Sequence, residues 1–393
     1  MNGTIYMPVG EVCSSISDTY REKKNMVTLI NTSDVLEGRV LNHERVPNSN
    51  LKGQFKKTFQ RDDILYSEIR PQNRRFAYVD FSPIDYIAST KLMVIRAKKD
   101  VVSPKYLYYF LKNSSTVAEL QLLAETRSGT FPQITFSEVA NLTIPVPSLA
   151  VQEVIVQTMQ CLEDKITCNE QINDNLEQQA QSYFQELFVD NADPEWAIGT
   201  ISDLGTVVGG STPSKAKPEY YTESGIAWIT PKDLSINKSK FVSHGENDIT
   251  ELGLKNSSAA IMPEGTVLFS SRAPIGYIAI AAGEVTTNQG FKSVVPKPEI
   301  GTPFVYFFLK KTLPVIEGMA SGSTFKEVSG STMKNVPAVI PDAETLAKFS
   351  DFCAPIFAQQ RILEEQNQSL ATLRDNLLPK LMSGEIDVSA VQL

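Results

Sequence analysis

The chain has 393 residues, more than one compact core usually holds, so its length predicts two or three domains. Its formal net charge of −8 argues at first against a polyanionic partner. It contains no apolar stretch of about 18 residues and no basic-then-apolar leader, so we expect neither membrane insertion nor secretion. Four scattered cysteines, without disulfide or metal spacing, fit a reducing cytoplasm.

The acidic charge is concentrated in two segments. Residues 148–195 contain 1 Lys or Arg against 10 Asp or Glu, and residues 342–393 contain 4 against 8. Residues 1–147 contain 19 against 15, and residues 196–341 contain 13 against 12. The whole-chain charge therefore does not exclude nucleic-acid binding by the two larger segments, although neither is basic enough to establish it.

Residues 1–148 are predicted to form an α+β domain. Runs of β-branched and aromatic residues, such as ILYSEI from Ile64 and KLMVI from Lys91, alternate with turns rich in Gly, Pro, Asn and Ser. KYLYYFLKN, from Lys105, is predicted to be a helix. The run IPVPS at 144–148 ends the sheet, because proline suits the position just before or inside a helix start.

A long helix is predicted in residues 149–190. Apolar and amide residues recur at spacings of four and three, the stripe of a coiled coil. A helix from Leu149 to Phe188 spans about 60 Å at roughly 1.5 Å per residue and acts as a spacer. The stripe consists of Ile155, Met159, Leu162, Ile166, Asn169, Asn173, Leu176, Ala180, Tyr183 and Leu187.

Residues 191–342 and 343–393 are predicted to form a second domain and a second long helix. TVLFS and YIAIA are predicted strands, FVYFFLKKT is a predicted helix, and VIPDA at 339–343 precedes the long helix. Arg374 interrupts the stripe of that helix, where Leu373 is an alternative, and Pro355 and Pro379 are expected to kink or end it. The second stripe consists of Phe349, Cys353, Ile356, Gln360, Leu363, Asn367, Leu370, Arg374, Leu377 and Leu381.

The chain contains an internal repeat with a period near 194 residues. SGTFPQITFSEVANLTIPVP, from Ser128, returns as SGSTFKEVSGSTMKNVPAVIP, from Ser321, and the register then continues through both long helices. Upstream the offset drifts, as in variable loops, but ILYSEIRP still matches VLFSSRAP and YYFLK matches YFFLK. Two copies account for almost the whole chain, so each copy is predicted to be a structural unit.

The two long helices are expected to pair through their stripes. Burial stabilises such a pair by roughly 1.5–3 kcal/mol per large side chain before conformational entropy is subtracted. Polar residues near the middle fix the register at some cost in stability. The predicted fold is thus α+β, with two tandem domains each followed by a long helix, and the helices form an antiparallel coiled coil with pseudo-twofold symmetry. The predicted pairing residues are Leu162, Ile166, Asn173, Leu176, Ile356, Leu363, Asn367 and Leu370.

This order of pieces resembles the specificity subunits of type I restriction-modification systems over essentially the whole chain. The first half keeps the layout, but GEVCSSISDTYREKKN, from Gly10, contains no clear counterpart of GGSTPS. The resemblance is carried by GGSTPSK from Gly209, GIAWITPKDL from Gly225, SSRAPIGYIAI from Ser270, TTNQGFKSV from Thr286 and, most specifically, NLLPKLMSGEIDV from Asn376.

The resemblance implies target recognition domains that each read one half of an asymmetric, split site in double-stranded DNA. It also implies that the helices bind adenine methyltransferase subunits and that a restriction and translocase subunit joins the complex. S-adenosylmethionine, ATP and Mg²⁺ are then expected on these partners, with no cofactor on this chain. A pseudo-dimer suits unequal half-sites about 34 Å apart, or a small multiple of that, whereas a true homodimer favours a palindrome.

Three alternatives to this interpretation are open. A similar subunit could serve a fused methyltransferase-nuclease, in which one partner chain does both reactions. The chain could instead be a self-contained DNA-modifying enzyme. It could also be a purely structural coiled-coil scaffold, which predicts no DNA binding and no dependence of DNA affinity on salt.

The DNA-binding candidates of residues 1–148 are basic. Arginine can bind guanine bidentately or clamp a phosphate, and a solvated basic loop is an equally weighted alternative. Three arginines lie in the turn IRPQNRRF between two predicted strands: Arg70, Arg74 and Arg75. A second cluster is better suited to phosphates than to bases and consists of Lys52, Lys56, Lys57 and Arg61.

The candidates of residues 191–342 are mostly polar. Asn and Gln can pair with adenine, although a turn role is comparably expected for Asn288. Trp228 and Ile229 are expected in the core, and Asp233 is expected to cap a turn rather than to bind cytosine. The loop from Gly209 is either an ordinary turn or a DNA contact. The candidates are Ser211, Thr212, Ser214, Lys215, Thr230, Lys232, Arg272, Asn288 and Gln289.

The sequence contains no evident catalytic constellation. The two histidines, His43 and His244, lie in polar loops without neighbouring metal ligands, so no metal site is predicted. GGSTPSK has no glycine before Lys215 and does not match a nucleotide-binding loop. DPEW, from Asp193, lacks the second proline of an amino-methyltransferase motif. Methyl transfer, base flipping and cleavage are therefore expected from partner chains.

Overall fold

The chain divides into two compact units in its computed structural model. Unit 1 comprises Met1–Ile166 with Ser369–Leu393, and unit 2 comprises Thr167–Gln368. The division falls inside both long helices, so each helix contributes residues to each unit. The described residues are 4–22, 24–48, 53–127, 131–322 and 326–388.

Unit 1 combines short strands with five helices in its described residues. Its strands are β1 (Ile5–Pro8), β2 (Cys13–Ile16), β3 (Met26–Ile30), β4 (Val35–Leu36), β5 (Arg39–Val40), β6 (Val46–Pro47), β7 (Phe55–Lys57), β8 (Ile64–Ser67), β9 (Phe76–Tyr78), β10 (Tyr86–Ser89), β11 (Leu92–Ala97) and β12 (Thr143–Val146). Its helices are α1 (Val9–Val12), α2 (Pro104–Lys112), α3 (Ser114–Arg127), α4 (Phe136–Asn141) and α5 (Leu149–Gln185). A single π-helical turn, Glu186–Asp190, continues α5 within unit 2.

The main sheet of unit 1 has four antiparallel strands in the order β2-β11-β8-β9. The predicted strands ILYSEI and KLMVI correspond to β8 and β11, whose side chains are almost all buried. A second sheet, β6-β3-β10-β7, contains the parallel pair β3 and β10. β1 and β12 form a two-stranded ribbon directly before α5. Unit 1 is therefore an α+β assembly, as predicted.

Unit 2 repeats this plan with different loops. Its strands are β13 (Ala197–Thr200), β14 (Gly205–Gly209), β15 (Tyr221–Thr222), β16 (Trp228–Ile229), β17 (Phe241–Val242), β18 (Asp248–Ile249), β19 (Val267–Ser271), β20 (Ile275–Ala281), β21 (Thr286–Thr287), β22 (Lys292–Pro296) and β23 (Pro337–Ile340). Its helices are α6 (Ile201–Leu204), α7 (Pro231–Ile236), α8 (Glu251–Lys255), α9 (Thr302–Met319), α10 (Gly330–Lys334) and α11 (Ala343–Ser383), the last continuing into unit 1.

The main sheet of unit 2 has five strands in the order β14-β22-β19-β20-β17, and only its edge strand β17 pairs in parallel. The predicted strands TVLFS and YIAIA correspond to β19 and β20. The short parallel pair β16 and β21 takes the place of β3 and β10 in unit 1. β13 and β23 form the ribbon that precedes α11.

Backbone hydrogen bonds show that the two copies share one scaffold. Ile134 N donates to Glu68 O over 2.9 Å in unit 1, and Val328 N donates to Ser271 O over 2.9 Å in unit 2. Lys98 N donates to Val12 O, and Lys297 N donates to Leu204 O in the corresponding place. Because these bonds join the same positions of the repeat, the repeat is structural as well as sequential.

The long helices close the core of each unit. In unit 1, the N-terminal half of α5 and the C-terminal end of α11 join one apolar cluster that includes Ile155, Met159, Leu378 and Leu381. In unit 2, the other halves join a cluster in which Phe349 is fully buried. The stripes predicted from the sequence are thus the faces that the helices bury.

The helices run antiparallel within unit 2. Asn169 Nδ2 donates to Asn367 Oδ1 over 2.8 Å, and Gln360 Nε2 donates to Asn173 O over 3.2 Å, so positions rise along α5 as they fall along α11. Asn169 is fully buried. These amides form a polar layer between the helices, which ties their register to one pairing.

Two details of the second helix differ from the sequence-based expectation. Helix α11 continues through Pro355 and Pro379, so neither proline ends it. Leu373 is 45% exposed and does not replace Arg374, which is only a quarter exposed and pairs with the neighbouring Asp375 at 2.8 Å. Packing on both sides of the helix outweighs the local cost of a proline.

Candidate nucleic-acid interface

Three polar loops of unit 2 meet at one edge of its sheets. Ser211 N donates to Thr287 O over 2.8 Å, and Trp228 Nε1 donates to Ser211 O over 3.0 Å. Asn288 N donates to Ile229 O over 3.0 Å. The loop from Gly209, the end of β16 and the turn after β21 are therefore fixed to one another by two backbone hydrogen bonds and the Trp228 indole, although they are far apart in the sequence.

Gly210 explains why the first of these loops is rich in glycine. A Cβ atom on Gly210 would lie 2.0 Å from Asn288 O and 2.4 Å from Thr287 O. Contacts of that length do not occur, so any other residue would force the loops apart. The GGSTPSK segment thus needs its second glycine to approach the turn after β21.

One of the candidate side chains at this edge, that of Thr230, belongs to a helix cap. Thr230 is the N-cap of α7, and Asp233 Oδ2 accepts hydrogen bonds from Thr230 N at 2.7 Å and Thr230 Oγ1 at 2.6 Å. The expected capping role of Asp233 is thus present. Lys232 is exposed, and its Nζ lies 2.6 Å from the carboxylate of Glu246.

The two amide side chains after β21 have different roles: that of Asn288 is bound within the turn, and that of Gln289 is exposed. Asn288 Oδ1 accepts from Gly290 N over 2.8 Å, which is a turn contact. Gln289 is exposed, and its side chain accepts a hydrogen bond from Thr212 Oγ1. Ser214 and Lys215 are exposed. Gln289 is thus open to solvent, while Asn288 supports the turn.

Arg272 follows β19 and lies beside the same turn. Ser271 N donates to Gly290 O over 2.7 Å, which fixes the backbone before Arg272. Ala273, the next residue, has a φ of 51°, a conformation that L residues rarely adopt. The Arg272 guanidinium is only 3.4 Å from Glu327 Oε2.

The sequence did not single out two charged residues at this edge, Lys292 and Glu327. Lys292 Nζ lies 3.8 Å from Glu327 Oε1 and donates to Gln289 O over 3.3 Å. Burial lowers the pKa of Lys292, and the carboxylate of Glu327 opposes that shift. The repeat register aligns Glu327 with Gln133 and could have drawn attention to Glu327, whereas no sequence signal marks Lys292.

In unit 1 the three candidate arginines have different surroundings. Arg70 is exposed, has a φ of 43° and lies 6.0 Å from the ring of Phe131. Arg74 pairs with Glu37 at 3.4 Å. Arg75 donates to the carbonyl oxygens of Ser33 at 2.9 Å and Val35 at 3.4 Å. Arg70 is therefore the most available of the three for a ligand.

The two lysine candidates of unit 1 also differ. Lys57 Nζ donates to the carbonyl oxygens of Thr90 at 3.1 Å and Leu92 at 2.8 Å, and burial lowers its pKa. Lys56 points from the same strand and is exposed. Lys52, which the sequence also predicts to contact a phosphate, lies outside the described residues. The contacts of Lys57 are structural, whereas Lys56 faces solvent.

Unit 1 has its own charged edge that the sequence did not single out. Lys91 Nζ lies 3.3 Å from Glu68 Oε2 and donates to Gln133 Oε1 over 3.1 Å. These three side chains line a cavity of about 350 Å³ together with Arg127 and Phe131. Its place in unit 1 corresponds to that of Arg272 and Glu327 in unit 2, because Glu68 matches Ser271 and Gln133 matches Glu327.

The predicted helix-pairing residues lie on the inward face of the long helices. None of the eight is exposed, and Ile356 and Leu363 are buried. Leu162 packs against the core of unit 1, and Leu176 packs against the core of unit 2. Asn173 and Asn367 belong to the polar layer described above. Their side of each helix is consistent with pairing.

The described residues contain no group of three His, Cys, Asp or Glu side chains placed to hold a metal ion. In the same part of the chain, no helix has both the length and the apolar character that crossing a membrane requires.

A family model described as the type I restriction modification DNA specificity domain matches residues 6–178 and again residues 194–373. The two matches follow the two copies of the repeat and cover most of the chain. The chain belongs to this family. It is a DNA specificity subunit of a type I restriction-modification system, a recognition subunit whose catalytic steps take place on other subunits.

Specificity subunits of other organisms resemble this chain, one over nearly all of its length and another over about half. The type I restriction enzyme HindI specificity subunit of Haemophilus influenzae is 29% identical, over 92% of this chain and 94% of that protein. The MjaIX specificity subunit of Methanocaldococcus jannaschii is 40% identical over 47% of this chain and 45% of that protein. The type I S subunit of M. genitalium shares the fold, with a TM-score of 0.56, 17% identity and 98% and 97% of the two chains covered.

Proposed function

We propose that this specificity subunit reads a bipartite, asymmetric site in double-stranded DNA and directs adenine methylation and restriction by partner subunits in the cytoplasm. Each copy of the repeat reads one half of the site. In this proposal the recognition domains are residues 1–148 and 191–342. Residues 149–190 and 343–393 form spacer helices that bind methyltransferase subunits, and a restriction and translocase subunit joins them.

One observation carries the proposal: the two copies share backbone hydrogen bonds but present different side chains on the corresponding edge. Glu68 and Ser271 occupy the same place in the two hydrogen-bond patterns, as do Lys91 and Gly290. Two identical readers would favour two identical half-sites, whereas these two readers offer different donors and acceptors to the base edges. The difference between the copies therefore supports unequal half-sites.

The structure also ranks the candidate contacts within this proposal. Exposed side chains without an internal salt bridge in the described residues are suited to DNA directly, and they include Lys56, Arg70, Lys215 and Gln289. Lys57, Arg75 and Asn288 hold backbone atoms in place and act by shaping the loops. Sequence readout by base edges needs such supported loops, because a shift of about 1 Å removes a hydrogen bond.

A domain exchange tests the proposal. Residues 196–341 are replaced by the corresponding domain of another specificity subunit, and the chain is co-expressed with its methyltransferase partner. Genome-wide sequencing of methylated adenines should show a split motif for the original chain. The exchange should change one half of that motif and leave the other half as it was. Absence of a split motif from the original chain, or a change in both halves, would contradict the proposal.

A further inference from the structure

We propose that Arg272 and Glu327 together read one G·C base pair in the half-site bound by unit 2. This inference rests on the proposed function and adds to it the identity of one recognised base pair.

The pair is both held in place and open to a ligand. Arg272 Nη1 lies 3.4 Å from Glu327 Oε2, and the two side chains are 37% and 39% exposed. Ser271, next to Arg272, donates its N–H to Gly290 O, and its carbonyl accepts from Val328 N, next to Glu327. One residue thus anchors the backbones on both sides of the pair, while more than a third of each side chain faces solvent.

Lys292 lies near the second oxygen of the carboxylate, at ion-pair distance. Its Nζ lies 3.8 Å from Glu327 Oε1 and donates to Gln289 O over 3.3 Å, and its side chain is only 16% exposed. Glu327 therefore has a mostly buried cation near one carboxylate oxygen and Arg272 near the other. Lys292 acts through Glu327 and is a positioning residue.

The chemistry of the pair favours a base edge over a phosphate. A carboxylate 3.4 Å from a guanidinium repels a phosphate that approaches the same arginine. In the major groove, guanine presents two adjacent acceptors, N7 and O6, and the paired cytosine presents a donor, the N4 amino group. An arginine donates two hydrogen bonds to the former, and a glutamate accepts one from the latter. Arg272 and Glu327 thus match the acceptors of guanine and the donor of cytosine, respectively.

The other copy of the repeat also has an ion pair at the corresponding edge. In unit 1 the position of Glu327 is occupied by Gln133 and that of Gly290 by Lys91. Lys91 nevertheless lies 3.3 Å from a carboxylate, that of Glu68. The same scaffold therefore holds a cation and a carboxylate at this edge in both units, built from different positions of the repeat. If the ion pair served only the fold, we would expect the same repeat positions to carry the charges in both units. The charges instead recur at different positions.

The test compares methylation motifs in cells that co-express the full chain with its methyltransferase partner. Glu327→Gln keeps the shape of the side chain and removes its charge, and Arg272→Lys keeps the charge and removes the bidentate geometry. Glu299→Gln is the matched control, because Glu299 is an exposed glutamate of the same unit. Thermal melting of each purified complex shows whether the variants are folded.

The original chain and Glu299→Gln should require G·C at one position in the half-motif that depends on residues 196–341. In Glu327→Gln and Arg272→Lys, methylation at sites with another base pair at that position should rise by about tenfold or more, with the other half-motif unchanged. Where a variant methylates too little DNA to define a motif, competition between duplexes that differ at this position measures the same loss of discrimination.

A half-motif without any G·C pair overturns the inference, and so does strict retention of the motif in both folded variants. Relaxation at a different position also overturns it. A split motif in the original chain combined with any of these results leaves the proposed function intact. The absence of a split motif from the original chain removes the proposed function itself.

Discussion

Unit 1 and unit 2 share a scaffold and differ in what the scaffold carries. The main sheet has four strands in unit 1 and five in unit 2, and the helices α2 and α3 correspond to the single helix α9. The backbone bonds at the ends of the ribbons and at the sheet edge nevertheless recur. The two copies thus combine one backbone frame with different loops.

The two units also differ in how the long helices meet the core. At the same position of the repeat, unit 1 has Ile155 and unit 2 has Phe349, and both are fully buried. Phe349 contacts the rings of Tyr183, Phe184, Phe188 and Phe307. Unit 2 therefore has an aromatic contact between helix and core where unit 1 has an aliphatic one.

The largest expected effect concerns this contact. Phe349→Ala should lower the free energy of unfolding of unit 2 by about 4 kcal/mol, and Ile155→Ala should lower that of unit 1 by about 3 kcal/mol, because each leaves a cavity in a closed core. Both tryptophans lie in unit 2, so denaturant titration followed by tryptophan fluorescence measures the first, and hydrogen exchange measures the second. Ile362→Ala, at a residue 47% exposed, is the control. A smaller loss for Phe349 than for Ile362 would contradict the comparison.

A second difference lies in the ion pairs beneath the equivalent lysines Lys112 and Lys310. In unit 1, Lys112 pairs with Glu163. In unit 2, Glu177 binds both Lys310 at 2.5 Å and Lys240 at 2.8 Å. Lys240 is only 6% exposed, and burial lowers its pKa to about 8 against the opposing effect of Glu177. One carboxylate therefore stabilises two cations in unit 2 and one cation in unit 1.

Removing these carboxylates should lower the stability of the two units by different amounts. Glu177→Gln should cost about 3 kcal/mol of unfolding free energy, because it leaves a buried lysine and a second lysine without a counter-charge. Glu163→Gln should cost about 2 kcal/mol, the order of one charged hydrogen bond. Asp174→Asn, at an exposed position of α5, should change stability by less than about 0.5 kcal/mol. Equal losses for Glu177 and Glu163 would show that the second cation adds nothing.

The contribution of Glu177 should depend on pH. Burial raises the pKa of Glu177, but Lys240 and Lys310 outweigh it and hold the pKa below the usual value of 4.5. A carboxyl with a depressed folded pKa stabilises the fold fully above its unfolded pKa and loses that contribution as the pH falls through its folded pKa. The stability difference between the original chain and Glu177→Gln should thus be constant between about pH 5.5 and pH 7, where Lys240, with a pKa of about 8, keeps its charge, and it should shrink below about pH 4.5. A difference that grows on acidification contradicts this assignment.

The smallest expected effect distinguishes two neighbouring lysines of unit 1. Lys56→Gln should reduce the slope of log affinity for DNA against log salt concentration by about 0.9 in magnitude, the value of one phosphate contact, and leave stability unchanged. Lys57→Gln should leave the slope unchanged and lower stability by about 1 kcal/mol, because its hydrogen bonds are internal. Salt titrations of the purified complex with duplex DNA measure the slope. The same slope for both variants would mean that exposure does not identify the phosphate contact.

Much of the fold was predictable from the sequence because it depends on local spacing. The stripe residues of both long helices all fall on faces that the structure does not expose, and the runs ILYSEI, KLMVI, TVLFS and YIAIA are strands. The capping role of Asp233 follows from its place three residues after Thr230. The effect of Pro355 and Pro379 was predicted wrongly in part, because tertiary packing keeps α11 continuous.

The charged edges were harder to predict because their members are distant in sequence. Arg272 and Glu327 are separated by 55 residues, and Lys91 and Gln133 by 42. Composition also gave no means of telling Lys56 from Lys57, since they are the same residue type on one strand. Only their alternation across the strand, with one side chain turned to the carbonyls of Thr90 and Leu92, makes one structural and the other exposed.

The sequence alone determined the repeat, the α+β class, the two long amphipathic helices and the family, since each depends on residue spacing along the chain. Tertiary structure decided which charges are already neutralised inside a unit and which face solvent. Electrostatic and hydrogen-bond energies depend on distance and burial in three dimensions, and the backbone hydrogen bond from Val328 N to Ser271 O brings Glu327 to Arg272 without any trace in the local sequence.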